Sequence, residues 1–178
     1  VKLVNWALRH TEEEAFVADL LSGQPEPPFY FAMMKKLNKI ERSLLPVVPT
    51  QKNLTLEEFD AFRANDGIII DARSKVSFAG GHVPGSINIQ NNKSFSTWAG
   101  WMLPYDRPFV LVAPNDQIED ITRKLMRIGL DNVAGYVTNV TDWQSAGHDL
   151  AEVKQMHLDE LQLKYSDPAY YVIDVRGY

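Results

Sequence analysis

Asp71-Ala72-Arg73-Ser74-Lys75-Val76-Ser77-Phe78-Ala79-Gly80-Gly81-His82-Val83-Pro84-Gly85-Ser86-Ile87-Asn88-Ile89 is the stretch on which the fold turns. Ile68-Ile69-Ile70 leads into it as a continuous β-branched run, the composition of a parallel strand buried on both faces. Gly80, Gly81 and Gly85 permit a tight reversal at φ values that other residues avoid. Pro84 fixes its own φ, and His82 can anchor the loop through a ring hydrogen bond. Ile87 and Ile89 predict a second short strand. Asp71 and Arg73 are read as diverging at the strand end, each reaching for different loop backbone or a separate partner charge.

The pattern continues on both sides. Upstream, Thr55-Leu56-Glu57-Glu58 is a capping box opening a short helix through Phe59 and Phe62, and Asp66-Gly67 is a turn. Downstream, Phe109-Val110-Leu111-Val112 predicts a third strand. Ile118 to Ile128 is amphipathic, with Ile121, Leu125 and Ile128 on one face and Gly129 as the stop. Val133 to Val137 predicts a fourth strand, and Trp143 is expected to plug the core. Strands alternating with helices predict an α/β fold with a mostly parallel sheet.

Composition bounds the function. The 178 residues suit one domain with an appendage. Apolar residues make up 45% and charged residues 23%, enough to bury a sizeable core. The net charge of −5 leaves no broad basic field, so nucleic-acid binding is not expected. Apolar runs fall far short of the ~20 residues of a membrane-spanning helix. Cysteine is absent. That excludes disulfides, Cys-ligated zinc, iron–sulfur clusters and a cysteine nucleophile. No signal-like segment opens the chain, so a cytoplasmic location is expected, and the Asn139-Val140-Thr141 sequon is expected to go unused.

Ahead of residue 50 the rhythm differs. Thr11-Glu12-Glu13-Glu14 fits a capping box with Thr11 at the cap, and Phe16, Val17, Leu20 and Leu21 follow at helical spacing. Gly23, then Pro25, Pro27 and Pro28, end that helix. Tyr30, Met33, Met34, Leu37, Ile40 and Leu44 form a second stripe, with Lys35, Lys36, Lys39 and Arg42 expected on a solvated face. This apolar stripe can dock on the downstream domain or on a neighbouring chain. Pro46-Val47-Val48-Pro49 reads as a linker. His10 is expected on the surface, and Trp98, Trp101 and Tyr105 in a core or interdomain contact.

The chain also repeats itself. Thr55-Leu56-Glu57-Glu58-Phe59 leads to Ile69-Ile70-Asp71-Ala72-Arg73, and His157-Leu158-Asp159-Glu160-Leu161 leads to Ile173-Asp174-Val175-Arg176. Self-similarity at one domain length implies tandem copies. The expectation is a fragment whose second copy has only begun, with divisions at 1–48, 49–152 and 153–178.

Asp71-x-Arg73 followed by Gly81-His82-Val83-Pro84-Gly85-Ser86-x-Asn88 resembles the signature of the rhodanese family. The resemblance covers about residues 50–150. It implies a doubly wound α/β domain around a five-stranded parallel sheet, with Asp71, Arg73, Gly81, His82, Pro84, Gly85 and Asn88 as structural residues. Active rhodaneses carry a cysteine after the strand that corresponds to Phe109–Val112, and its thiolate accepts sulfane sulfur within a cradle of backbone N–H groups. Here the loop reads Ala113-Pro114-Asn115-Asp116-Gln117-Ile118. Ala113 offers no nucleophile, Pro114 removes an N–H, and Asp116, Glu119 and Asp120 add negative charge. Asp116 with Glu119 is read as a capping box for the next helix. The expectation is an inactive sulfurtransferase with no catalytic residue. A sulfurtransferase or small-anion site is the alternative.

Asn5-Trp6-Ala7-Leu8, Glu13 to Val17, Leu20 to Phe31 and Met33 to Asn38 resemble the last helices of a metallo-β-lactamase-fold enzyme of the persulfide dioxygenase-like group, often fused to rhodanese domains. The resemblance implies a parent of sulfur metabolism, acting on thiol persulfides through non-haem iron or zinc. The metal-binding run of that fold is absent here: His10, His82, His148 and His157 match no ligand spacing. No cofactor is expected in this chain. The implied partners are an upstream metallo-β-lactamase-fold domain, a downstream second rhodanese domain and a homodimer mate.

Overall fold

The computed structural model describes residues 5–24, 27–28, 30–42, 45–173 and 175. Eight helices and four strands follow one another among them: α1 (Glu13–Leu21), α2 (Tyr30–Leu37), α3 (Leu56–Ala64), β1 (Ile68–Asp71), α4 (Lys75–Ala79), β2 (Ile87–Asn88), α5 (Phe95–Met102), β3 (Phe109–Val112), α6 (Ile118–Met126), β4 (Val133–Val137), α7 (Thr141–Ser145) and α8 (Leu158–Lys164). Short 3-10 turns span Trp6–Arg9 and Asn115–Gln117.

The sheet has the order β2-β1-β3-β4 and is parallel throughout. β1 and β3 are central, and their continuous apolar runs are covered on both faces. On one face Phe95 and Ala99 of α5 and Ile121 and Leu125 of α6 pack against Ile70, Phe109 and Leu111. On the other, Phe59 of α3 and Trp143 of α7 pack against Ile69, Val110 and Val112. This is the expected doubly wound arrangement, and Trp143 plugs the second layer. The chain leaves β1 toward β2 on one side and reaches β3 on the other. The topological switch point therefore lies at the carboxyl ends of β1 and β3, where α/β sheets hold their ligands.

Local chemistry explains most boundaries. The Thr55 hydroxyl accepts from Glu58 N (3.3 Å) and the Glu58 carboxylate from Thr55 N (3.2 Å), a complete capping box. Gly129 takes φ +74° just beyond the last turn of α6, the left-handed backbone that stops a helix. Of the five strands implied by the resemblance, the fifth is reduced to one parallel bridge, Asn53 to Tyr136. Thr55 is already committed to capping α3, so the extended segment has no room to lengthen.

Several expectations fail at the ends of the chain. Thr11 does not cap α1: Glu12 holds the cap position, without a side-chain cap bond. The chain enters α1 instead through an aromatic cluster. Trp6 stacks on Phe16 at 6.0 Å, and His10, half-buried beside both rings, bonds Asp19 at 2.7 Å. The α2 stripe ends at Leu37; Ile40 lies beyond the helix and is exposed, and Leu44 is outside the described residues. Trp98 and Trp101 are not core residues, being 57% and 40% exposed, whereas Tyr105 packs on the core and donates to Ile128 O (2.8 Å). α8 forms where the second copy's first helix is expected. Tyr171–Ile173 is not a strand, since nothing described lies alongside to pair with it; Asp174 and Arg176 are outside the described residues.

Candidate functional site at the switch point

The end of β1 organises the region. Asp71 and Arg73 do not diverge. Residues two apart on extended backbone share a side, and Arg73 Nε donates to both Asp71 carboxylate oxygens (2.9 and 3.0 Å) while Nη2 donates to Oδ2 (2.5 Å). Nη2 also donates to Gly81 O (2.8 Å), tying the strand end to the signature loop. Asn88 completes the tie, its amide donating to Asp71 O (2.8 Å) and Arg73 O (3.1 Å).

The rest of the signature builds the loop behind that contact. Val83, Pro84, Gly85 and Ser86 form a turn closed by Ser86 N donating to Val83 O (3.0 Å). Pro84 sits second, and Gly85 sits third with φ +83°, the requirement of a type II turn. His82 is buried and stacks on Phe78 at 3.7 Å between ring centroids. Its Nδ1–H donates to Phe78 O (2.8 Å), and its backbone exchanges two hydrogen bonds with Ala151 (2.9 Å each). The ring bond read from the sequence is present, and it serves loop anchorage.

In front of these residues lies a cavity of about 380 Å³, lined by Arg73, Ser74, Ser77, Asn91, Pro114 and Gln117 among others. It sits at the switch point and is bordered by the loop after β3. Ala113 is fully buried, and its N–H donates to Val137 O (3.1 Å). Pro114 has no N–H, and Gln117 N donates to Pro114 O (3.0 Å). The N–H groups of two loop residues are thus turned into the protein, and a third is missing. Asp116 and Glu119 do not form the expected capping box. The 3-10 turn over Asn115–Gln117 intervenes, and Gln117 takes the cap position without its side chain capping the helix. Asn115 accepts from the Tyr136 hydroxyl (2.6 Å), and Ile118 is buried.

The acidic character expected of the loop is largely neutralised. Glu119 accepts from Arg123 (2.6 Å) and Asp120 pairs with Lys124 (2.8 Å), each one turn along α6. Hydrogen bonding to Lys124 is the main influence holding the Asp120 carboxyl below its ordinary value; burial opposes it, and the bond from Asn91 adds a lesser lowering. Lys124 also donates to Asn91 Oδ1 (2.6 Å), and Asn91 donates to Gln117 Oε1 (3.1 Å). Neither Asn91 nor Lys124 stands out in the sequence reading. The i,i+4 spacing of Asp120 and Lys124 was the available signal.

The rim is therefore polar and charge-balanced. Ser74 and Ser77 hydroxyls lie 2.8 Å apart and bond each other. Among the described residues no three His, Asp or Glu groups are placed to hold a metal ion, so these residues do not fit a metal centre. No helix of the described residues is long and apolar enough to cross a membrane.

Comparison with known proteins agrees with this geometry. The rhodanese-like domain family matches residues 55–146, a little over half of the chain. Among solved structures, a metallo-β-lactamase from Staphylococcus aureus subsp. aureus COL overlays with a TM-score of 0.64 at 35% identity, covering 76% of this chain and 38% of that one. The chain thus spans well under half of that protein. A rhodanese-like domain from Anabaena sp. overlays at 0.50 with 14% identity, covering 72% of this chain and 96% of that one. Thiosulfate sulfurtransferase from Pseudomonas aeruginosa gives 0.48 at 19% identity, covering 63% and 23%. No curated protein matches. The chain belongs to the rhodanese-like domain family.

Proposed function

We propose that this chain supplies a non-catalytic rhodanese-like module to a larger cytoplasmic protein of sulfane-sulfur metabolism. The observation that carries the reading is the loop after β3. A fully buried alanine stands where sulfur transfer needs a thiolate, and the loop's N–H groups at Ala113 and Gln117 are engaged internally. No group in the cavity can accept sulfur covalently.

The larger protein is a fusion in this proposal, with a metallo-β-lactamase-fold domain upstream and a second rhodanese-like copy downstream. The similarity to the S. aureus metallo-β-lactamase supports it, because that overlay covers 76% of this chain and so reaches beyond the rhodanese-like stretch of residues 55–146. Any iron or zinc would be held by upstream residues, and thiol persulfides would be the substrate class. The module's part is to hold its neighbours, or a dimer mate, in place. Sequencing the gene on both sides tests the fusion: an upstream His-x-His-x-Asp-His run is expected, and its absence would remove the metallo-domain from the proposal.

The cavity at the switch point favours a second reading, a small polar ligand bound without chemistry. Calorimetry with thiosulfate and with sulfite separates the two. The scaffold reading expects no heat at millimolar ligand. A saturable signal abolished by Asn91→Leu would establish the binding site instead.

A further inference from the structure

We infer that the face formed by α5 and α6 is a helix-recognition surface whose ligand is the chain's own α2, keyed by two positions that lack a Cβ. Gly100 lies within the eight-residue helix α5, where glycine is among the poorest helix formers. Its backbone is ordinary, so what approaches it explains it. A Cβ there would stand 2.8 Å from Tyr30 Cγ and 3.0 Å from Tyr30 Cβ, atoms too close to the α2 backbone to swing aside. Tyr30 can lie on α5 only because residue 100 has no side chain.

The second position lies nearly two turns further along α2. A Cβ on Gly129, three residues past α6, would meet Leu37 Cδ1, the free end of that side chain, and stand 3.9 Å from Tyr105 Cε1; the φ of +74° calls for glycine there in any case, so the contact with Tyr30 at Gly100 is the more telling of the two. Tyr105 is itself fixed by its bond to Ile128 O (2.8 Å), and burial, with Tyr30 and Asp131 nearby, pushes its hydroxyl pKa up. Tyr30 at the first residue of α2 and Leu37 at the last thus enter two separate notches. Met34, between them, packs on the same core cluster. Beyond the helix, Arg42 ion-pairs with Asp131. A helix held at both ends has its direction fixed as well as its place, and so does whatever polypeptide adjoins it. This docking stands whether or not a metallo-domain precedes α2.

The test is amide hydrogen exchange on the full chain. Gly100→Ala should favour α5 itself, since alanine is the better helix former. Exchange of the α2 amides should nevertheless accelerate about tenfold or more, with β1 and β3 unchanged. Tyr30→Ala should loosen α2 similarly, and Gly100→Ala should add nothing in that background, because the collision has gone. Unchanged α2 exchange in either single variant would overturn the inference. So would full additivity in the double variant, which would place the effect of Gly100 elsewhere. If Gly100→Ala failed to fold, Tyr30→Ala alone would decide, since Tyr30 lies outside the buried core.

Discussion

Asp71 and Arg73, two residues apart at the end of β1, are each other's principal partner: four hydrogen bonds of 2.5–3.0 Å join them, one from the Arg73 backbone N–H and three from its guanidinium, and a fifth from Arg73 reaches Gly81 O. The Asp71 side chain is 1% exposed and the Arg73 side chain 16%. Removing one member of so enclosed a pair strands the other charge. Asp71→Ala should cost about 3–5 kcal/mol, read as a lowered urea midpoint by circular dichroism. Asp71→Ala with Arg73→Met should recover part of the loss. A single-variant loss below about 1 kcal/mol would show that water reaches Arg73 and replaces the carboxylate.

Ala113→Cys restores the missing element at the site but not its setting. Position 113 is fully buried and its N–H is engaged by Val137 O. A thiol there lies in apolar surroundings that disfavour the thiolate. The variant should show no reaction with a thiol-specific disulfide reagent when native, full reaction in urea, and no sulfur transfer from thiosulfate. Rapid modification of the native protein would mean that the loop opens.

Asp60 supports the second layer from beneath. Trp143 Nε1 donates to Asp60 Oδ1 (2.6 Å), and His148 Nε2 lies 3.1 Å from Oδ2 while its ring stacks on Trp143 at 4.5 Å. Asp60→Ala leaves a nearly buried indole N–H without its acceptor, at a cost of about 1–3 kcal/mol. Thermal denaturation should show a lower Tm, whereas Asp149→Ala, on the surface nearby, should not move it.

These contacts show where sequence patterns stop being informative. β1, β3, β4, the Thr55 capping box and the Gly129 stop are set by short runs whose burial and hydrogen bonding are local, so they are legible. The end of the α6 approach is not. Pro114 and a 3-10 turn compete with an Asp116 cap, and the outcome depends on Tyr136 bonding Asn115 from β4. The Asp71–Arg73 pair follows from the period of the strand, which puts residues two apart on one side. Asn91 and Lys124 meet only because separate elements converge at the switch point. Trp98 and Trp101 look like core by composition, but α5 turns them outward while Phe95 and Ala99 face the sheet.

Acid should weaken the start of α3 in a defined window. Hydrogen bonding to Lys52, and then to Thr55 N, holds the Glu58 carboxyl below its ordinary value of 4.5. A depressed folded value stabilises above the unfolded value and is lost as pH falls through the folded one. The Tm difference between wild type and Glu58→Gln should be constant at neutral pH and shrink below pH 4.5. A difference that grows on acidification would reverse the assignment.

The single bridge at Asn53 has a further effect on how molecules of this protein meet. A raw sheet edge is a template for pairing with other chains. Along β4, Leu54 N donates to Tyr136 O (2.9 Å) and Tyr136 N to Lys52 O (2.8 Å), so the lead-in to the module closes that edge with its own backbone. The opposite edge, β2, is two residues long. Three residues of connecting chain therefore act as a guard against aggregation, and trimming the protein at residue 55, where family similarity begins, would produce a stickier molecule.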